Sequence, residues 1–265
     1  MDVTDQIAIV TGGGRGIGRA ITHVLAQHGS DGGVADINMG DTQTVCDEIN
    51  EHGGRSLAVS VDVTDNESVT SLAGQTIDAF GRIDIVVNNA GTIGAPGWES
   101  RDRPNDDDWN HIHDVNVHGI ARVTDAVVEH MKSRRYGKIV NIASVAGRTG
   151  TRTNFAYGAS KAAAINLTRC YASDLAPFSI NVNCVCPGLV WTKMWERIAS
   201  RRIGLSIDDE MTTRESFDRF VESNTPLGRE QTPEEIANAV VFLASEAASG
   251  ITGQALNVDG GYVMN

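Results

Sequence analysis

Short apolar runs alternate along the whole chain with segments in which hydrophobic residues recur every three or four positions. The runs predict strands over Gln6–Val10, Gly33–Asp36, Ser56–Val61, Ile83–Asn88, Gly137–Ile142, Ile180–Val185 and Ala255–Val258. Their alternation with helical segments implies strands covered on both faces. The intervening segments predict helices over Gly16–His28, Thr42–His52, Glu67–Phe80, Asp106–Arg134, Asn154–Ala176 and Pro233–Ser245. Strict alternation of this kind implies an α/β fold, a doubly wound parallel sheet of about seven strands with helices on both faces. Ligands then bind at the carboxyl ends of the strands. The second strand is the weakest, because Ser30-Asp-Gly-Gly-Val-Ala-Asp36 carries two glycines where β-branched residues are expected. Between 192 and 227 the alternation stops, and Met194, Trp195, Ile198, Met211, Phe217 and Phe220 are spaced like short amphipathic helices.

Composition narrows the function without choosing it. A length of 265 residues fits one large domain, and no apolar stretch reaches the length of a membrane span. The acidic start, Met1-Asp-Val-Thr-Asp-Gln6, differs from a signal peptide, so a cytoplasmic setting is the expectation. A net charge of −12 argues against nucleic acid as a partner. The pairs Arg134-Arg135 and Arg201-Arg202 are expected on solvated helix ends. Cys184 and Cys186, two apart in a strand, should share one sheet face as small buried side chains, with no metal site.

Two motifs carry chemistry. The run Ile7-Ala-Ile-Val-Thr11-Gly12-Gly-Gly-Arg15-Gly16-Ile17-Gly18 passes from strand through a glycine cluster into a helix. Glycines let the backbone approach a ligand, and the free N–H groups of the helix start suit a pyrophosphate. The spacing of Gly12, Gly16 and Gly18 departs from the usual dinucleotide fingerprint by lengthening the first interval. In Tyr157-Gly-Ala-Ser-Lys161, one helical turn places an ammonium beside a phenol. A nearby positive charge should lower the phenol pKa from about 10 and fit it for proton transfer.

Thr11-Gly-Gly-Gly-Arg-Gly-Ile-Gly18, Asn88-Asn-Ala-Gly91, Asn116, Ser144, Tyr157-x-x-x-Lys161 and Pro187-Gly188 occur in the order characteristic of one family. From about Gln6 to Gly261 the chain resembles the short-chain dehydrogenases/reductases. The resemblance implies a catalytic set of Asn116, Ser144, Tyr157 and Lys161 and a nicotinamide cofactor. Gly12, Arg15, Gly16, Ile17 and Gly18 would hold the pyrophosphate side. Asp62 and Val63 would lie at the adenine, Asn89, Ala90 and Gly91 along the adenosine, and Tyr157 and Lys161 at the nicotinamide ribose. Pro187, Gly188, Val190 and Thr192 would flank the carboxamide. Asp36 follows Gly18 by 18 residues and can accept hydrogen bonds from both ribose hydroxyls, which favours NAD over NADP. Arg15 weighs the other way, since a basic residue in this loop can hold a 2′-phosphate. Asn116 would hold, through its main-chain carbonyl, a water that links Lys161 to solvent. Asn88 and Asn89 serve equally well as braces of the sheet.

In the family, the stretch 192–227 forms a substrate-covering flap. Ser144, Ala146, Thr151, Asn154, Trp191 and Trp195 are the leading pocket residues, joined by Gly94, Ala95, Val145, Leu189 and Met194. This mostly apolar set suits a small secondary alcohol, diol, polyol, sugar or cyclic ketone. The polar insert from Ala95 to Pro104 stands either as a selector of polyols or as a surface excursion. The alternative activity is an NADPH-dependent 3-oxoacyl-thioester reductase. A non-catalytic NAD-binding regulator is disfavoured by the complete catalytic set. Family members are usually homotetramers, and the apolar C-terminal segment suits burial between subunits.

Overall fold

The structure is a computed structural model and describes residues 1–150, 154–205, 207 and 210–264. Strands β1 (Ile7–Thr11), β2 (Asp31–Asp36), β3 (Ser56–Ser60), β4 (Ile85–Asn88), β5 (Gly137–Ile142), β6 (Ile180–Pro187) and β7 (Ala255–Val258) form one parallel sheet. Their order is β3-β2-β1-β4-β5-β6-β7. The chain reverses its direction of travel across the sheet between β1 and β4, so a ligand crevice opens above the ends of those strands.

On one face lie α1 (Gly16–Gln27), α2 (Met39–Glu51) and α9 (Pro233–Ala244). There Ile21, Val24 and Leu25 of α1 meet Ile236, Val240 and Val241 of α9 over Val10, Val87 and Val140. On the other face lie α3 (Asn66–Phe80), α4 (Asp106–His113), α5 (Gly119–Arg134) and α6 (Phe155–Leu175). Val69, Leu72, Val123, Val127 and Leu175 cover Ile9, Val86 and Ile139 on that side. Each layer buries aliphatic side chains worth roughly 1.5–3 kcal/mol apiece. The remaining helices, α7 (Lys193–Gly204) and α8 (Thr213–Asn224), stand between β6 and α9.

Three local expectations need correction. β2 begins at Asp31 and contains both glycines. At Gly32 φ is +153°, and a Cβ there would lie 1.9 Å from the Ala8 carbonyl oxygen, so this close strand contact admits no side chain. A cavity of about 20 Å³ is lined there by Ala8, Leu25, Ala26, Gly32 and Ile49. Second, 106–134 is not one regular helix, because Asp114–His118 forms a wide π turn between α4 and α5. Third, two of the arginines do not end in solvent. Arg134 donates to the buried Asp84 at 2.6 Å and to the Ile83 carbonyl, and Arg201 is only 2% exposed.

Candidate active site

The glycine loop is shaped by contacts that leave no room for side chains. Gly12 has φ +63°, and Asn89 Nδ2 donates to the carbonyls of Thr11 and Gly12 at 3.0 and 2.9 Å. A Cβ at Gly18 would lie 1.9 Å from the Gly12 carbonyl oxygen. Asn89 thus braces the loop from β4, while Asn88 braces the sheet through Asn141 at 2.8 Å. Ala90 N–H donates to Thr11 Oγ1. Arg15 is exposed and gives α1 no side-chain cap, so helical geometry leaves the N–H groups of Gly16, Ile17 and Gly18 without helical acceptors. Those three donors at the positive end of α1 fit a pyrophosphate.

Asp36 ends β2 beside this loop and is 6% exposed. Its carboxylate accepts from Gly14 N–H at 3.1 Å and from Asn38 N–H at 3.2 Å. Asp41 closes in from α2, and a Cβ at Gly14 would come within 2.8 Å of its Cβ. Asp41 escaped the sequence reading because the register of α2 against the loop is set by the fold. Asp62 accepts from both the N–H and the hydroxyl of Thr64, while Asp65 caps α3. Val63 is buried against Gly119, on the core side of its turn rather than open to the crevice.

The remaining predicted residues converge at the ends of β5 and β6. Tyr157 and Lys161 share one side of α6, with the Lys161 ammonium 5.7 Å from the centre of the Tyr157 ring. Ser144 stands just beyond β5, where its hydroxyl accepts from Ala146 N–H at 3.1 Å and its side chain acts to lower the Tyr157 pKa. Lys161 Nζ donates to the Ile142 carbonyl at 2.8 Å. Gly91 is the closest approach of β4: a Cβ there would lie 3.5 Å from Lys161 Nζ and 3.3 Å from Asn116 Oδ1. Asn116 sits in the π turn, fully buried. Its side chain bonds the N–H and carbonyl of Thr92 at 2.8 and 2.9 Å and Ser160 Oγ at 3.0 Å, so its amide ties three elements together.

One electrostatic expectation is reversed. Tyr157 is half-buried, and burial pushes its phenol up to about 12 despite the opposing effect of Ser144. Burial also draws the Lys161 ammonium down to about 8, with Cys184 and Cys186 opposing that fall. In this state desolvation outweighs the attraction that the spacing of the pair predicts. The two thiols lie 4.0 Å apart on one sheet face, buried as expected.

Above β6, Gly188 has no room for a side chain, since a Cβ would meet Gln231 Oε1 at 2.5 Å. Gln231 is 3% exposed and accepts from Leu189 N–H at 3.0 Å while its own N–H donates to the Leu189 carbonyl. Sequence reasoning missed this clamp, because its partners lie 42 residues away. Pro187 and Val190 are buried, and Thr192 lies over the glycine loop, its Cγ2 3.5 Å from a Cβ placed at Gly16. Trp191, Trp195, Phe217, Phe220 and Tyr262 form one aromatic cluster, with neighbouring ring centres 4.9–6.4 Å apart. Leu189 is buried in the same cluster. Met194 and Ala146 are half-buried, and Val145 is buried. Asn154 caps α6 by accepting from Tyr157 N–H and donates to the Ile93 carbonyl, so its amide is committed to positioning. Gly94 lies tight against Trp98, and Thr151 lies outside the described residues.

The polar insert is an ordered platform rather than a loose excursion. Asp108, fully buried, accepts from Ala95 N–H, Asn105 N–H and Arg101 at 2.9, 3.1 and 2.8 Å. Among the described residues no cluster of three His, Cys, Asp or Glu could hold a metal ion, and no helix is long and apolar enough to cross a membrane.

Comparison with known proteins bears on the family and the fold. The family model described as enoyl-(acyl carrier protein) reductase matches residues 12–263. The 3-oxoacyl-(acyl-carrier-protein) reductase FabG of Thermotoga maritima is 34% identical over 268 aligned positions, covering 100% of both chains. Among solved structures, NAD+-bound xylitol dehydrogenase superposes with a TM-score of 0.88 at 33% identity, covering 98% of this chain and 100% of that one. Levodione reductase also gives 0.88, at 29% identity and 97% coverage of each chain.

Proposed function

The chain belongs to the short-chain dehydrogenase/reductase family, and on that premise we propose that it interconverts a compact secondary alcohol and its ketone with NAD. Family membership makes it an oxidoreductase of CH–OH and keto groups that uses a nicotinamide cofactor. The observation that carries the finer reading is the juxtaposition of Ser144 and Tyr157, with Lys161 on the same face of α6.

The bound cofactor supplies the hydride acceptor or donor at its nicotinamide ring. Gly16, Ile17 and Gly18 offer N–H groups to its pyrophosphate, Asp36 accepts from its ribose hydroxyls, and Thr192 closes over the loop. Tyr157 moves the proton at the substrate oxygen: as phenol it protonates that oxygen in reduction, and as phenolate it takes the hydroxyl proton in oxidation. Ser144 donates to the same oxygen as charge develops on it, a role commonly worth about 3 kcal/mol. A protonated Lys161 lowers the cost of the phenolate, and Asn116 fixes the Gly91–Thr92 turn against that lysine.

NAD rather than NADP is supported by the buried carboxylate of Asp36, with Asp41 beside it, against one exposed arginine, Arg15. The apolar and aromatic surround of Trp191 and Trp195 favours a neutral, compact substrate, as do the names of the two solved relatives. The stretch 192–227 serves as the flap of a single domain. The exposed Leu256 on the edge strand β7 and Met264 beyond it suit a homotetramer, and four free cysteines accord with a cytoplasmic setting. A second reading, reduction of a 3-oxoacyl thioester, is favoured by the full-length similarity to the Thermotoga reductase.

Purified enzyme assayed with small ketones and NADH, and with acetoacetyl-coenzyme A and NADPH, separates the two. The first reading expects the higher kcat/KM with the former. Tyr157→Phe should bind NADH normally, by fluorescence titration, and lose at least roughly a thousandfold in turnover. Near-normal turnover in that variant removes the mechanism.

A further inference from the structure

Helix α7 lies across the ligand side of the sheet like a bar fixed at both ends. Its 12 residues span about 18 Å. At its start, Thr192 sits over Gly16 of the glycine loop. Toward its far end, Arg201 reaches the insert: Nε and Nη2 donate to the Arg101 carbonyl at 3.0 and 2.7 Å, and Nη2 also donates to the Asp102 carbonyl at 2.9 Å. The same guanidinium stacks 4.6 Å from the centre of the Trp98 ring. Midway, Arg197 pairs with Glu99 of the insert.

The receiving surface is rigid. Trp98 is 2% exposed and packs on Gly94, where no Cβ could fit. Arg101 spans from Asp108 to the Pro96 carbonyl, and Asp108 gathers Ala95 and Asn105 into the same knot. The segment continues directly to the catalytic helix, since Asn154 at the start of α6 donates to the Ile93 carbonyl. A buried guanidinium held by main-chain carbonyls is costly to withdraw, because water must replace every bond it gives up. Closure over the substrate side therefore rests on Arg201 more than on the partly exposed Arg197–Glu99 pair.

We propose that Arg201 is a specificity-determining positioning residue, which fastens α7 to the Trp98–Asp102 platform and so restricts the cleft to compact substrates. The bar leaves the Tyr157 hydroxyl reachable by a small ketone but hinders a substrate trailing a long thioester arm. This inference rests on the reading of the site as a dehydrogenase, and it names what selects the substrate class.

The test compares cyclohexanone with acetoacetyl-coenzyme A, both followed by NADH oxidation, in the full-length enzyme and in Arg201→Met, Arg201→Lys and Glu99→Gln. Arg201→Met keeps the side-chain length over Trp98 and removes the carbonyl bonds. It should raise the thioester-to-cyclohexanone ratio of kcat/KM by about tenfold, chiefly through KM for the thioester. Arg201→Lys should recover part of the discrimination, and Glu99→Gln should shift it by only about twofold. Amide hydrogen exchange over 193–204 should accelerate in the same order. An unchanged ratio with unchanged exchange in Arg201→Met overturns the proposal. If the parent enzyme reduces neither ketone, the dehydrogenase reading fails instead, and the exchange data alone decide whether Arg201 holds α7 shut.

Discussion

Replacing Lys161 by Met should abolish activity and at the same time make the ligand-free protein more stable near neutral pH. The Lys161 ammonium is 4% exposed, and burial lowers its pKa from the ordinary 10.5 to about 8. At about 1.4 kcal/mol per pH unit, holding that charge in the folded state costs about 3 kcal/mol at pH 7. The methionine removes this cost and forfeits the 2.8 Å hydrogen bond to the Ile142 carbonyl, worth about 1–2 kcal/mol. A net gain of about 1–2 kcal/mol remains, or roughly 2–4 °C in Tm for a chain of this size. The pH dependence has a definite sign. Between pH 8 and 10.5 the unfolded lysine binds more proton than the folded one, so the parent gains stability as pH rises through that window. The gap between variant and parent should accordingly narrow from pH 7 to pH 9.5. Urea denaturation at fixed protein concentration, without cofactor, measures it. A methionine variant less stable than the parent by more than about 1 kcal/mol at pH 7 would refute the reasoning. So would a gap that stays constant with pH.

Two further outcomes follow from the loop. Gly18→Ala places a methyl group 1.9 Å from the Gly12 carbonyl oxygen, so NADH affinity measured by fluorescence titration should fall by at least roughly a hundredfold. Asp36→Ser removes the carboxylate proposed to receive the ribose hydroxyls and should shift kcat/KM toward NADPH by roughly ten- to a hundredfold, with Asp36→Ser/Asp41→Asn moving further in that direction. Unaltered cofactor preference in the double variant would separate these acids from the choice.

Much of the fold was legible because its signals are local. Ile7–Thr11, Gly137–Ile142 and Ile180–Pro187 are almost wholly buried, and buried parallel strands announce themselves as short runs rich in Ile and Val. The glycine loop and the Tyr157–Lys161 spacing are local too, and both motifs lie where the crevice opens. What stayed hidden depends on neighbours distant in sequence. The phenol of Tyr157 rises rather than falls because its burial is a property of the packed fold. Arg201 and Arg134 look like surface residues until the carbonyls of Arg101 and Asp102 and the carboxylate of Asp84 are brought to them. The insert held two readings open, and its polar groups prove to be engaged with one another and with α7.

The wide turn at Asp114–His118 has its own consequence for how the rod between Asp106 and Arg134 works. One residue more than a regular turn resets the phase by about 100°. Upstream, Asp108 faces the platform; downstream, Val123, Val127 and Met131 face the sheet. An uninterrupted spiral could not aim both sets correctly. Excising a single residue there would leave sequence composition almost untouched, yet it would turn one half of the rod away from its neighbours and swing Asn116 off Thr92 and Ser160.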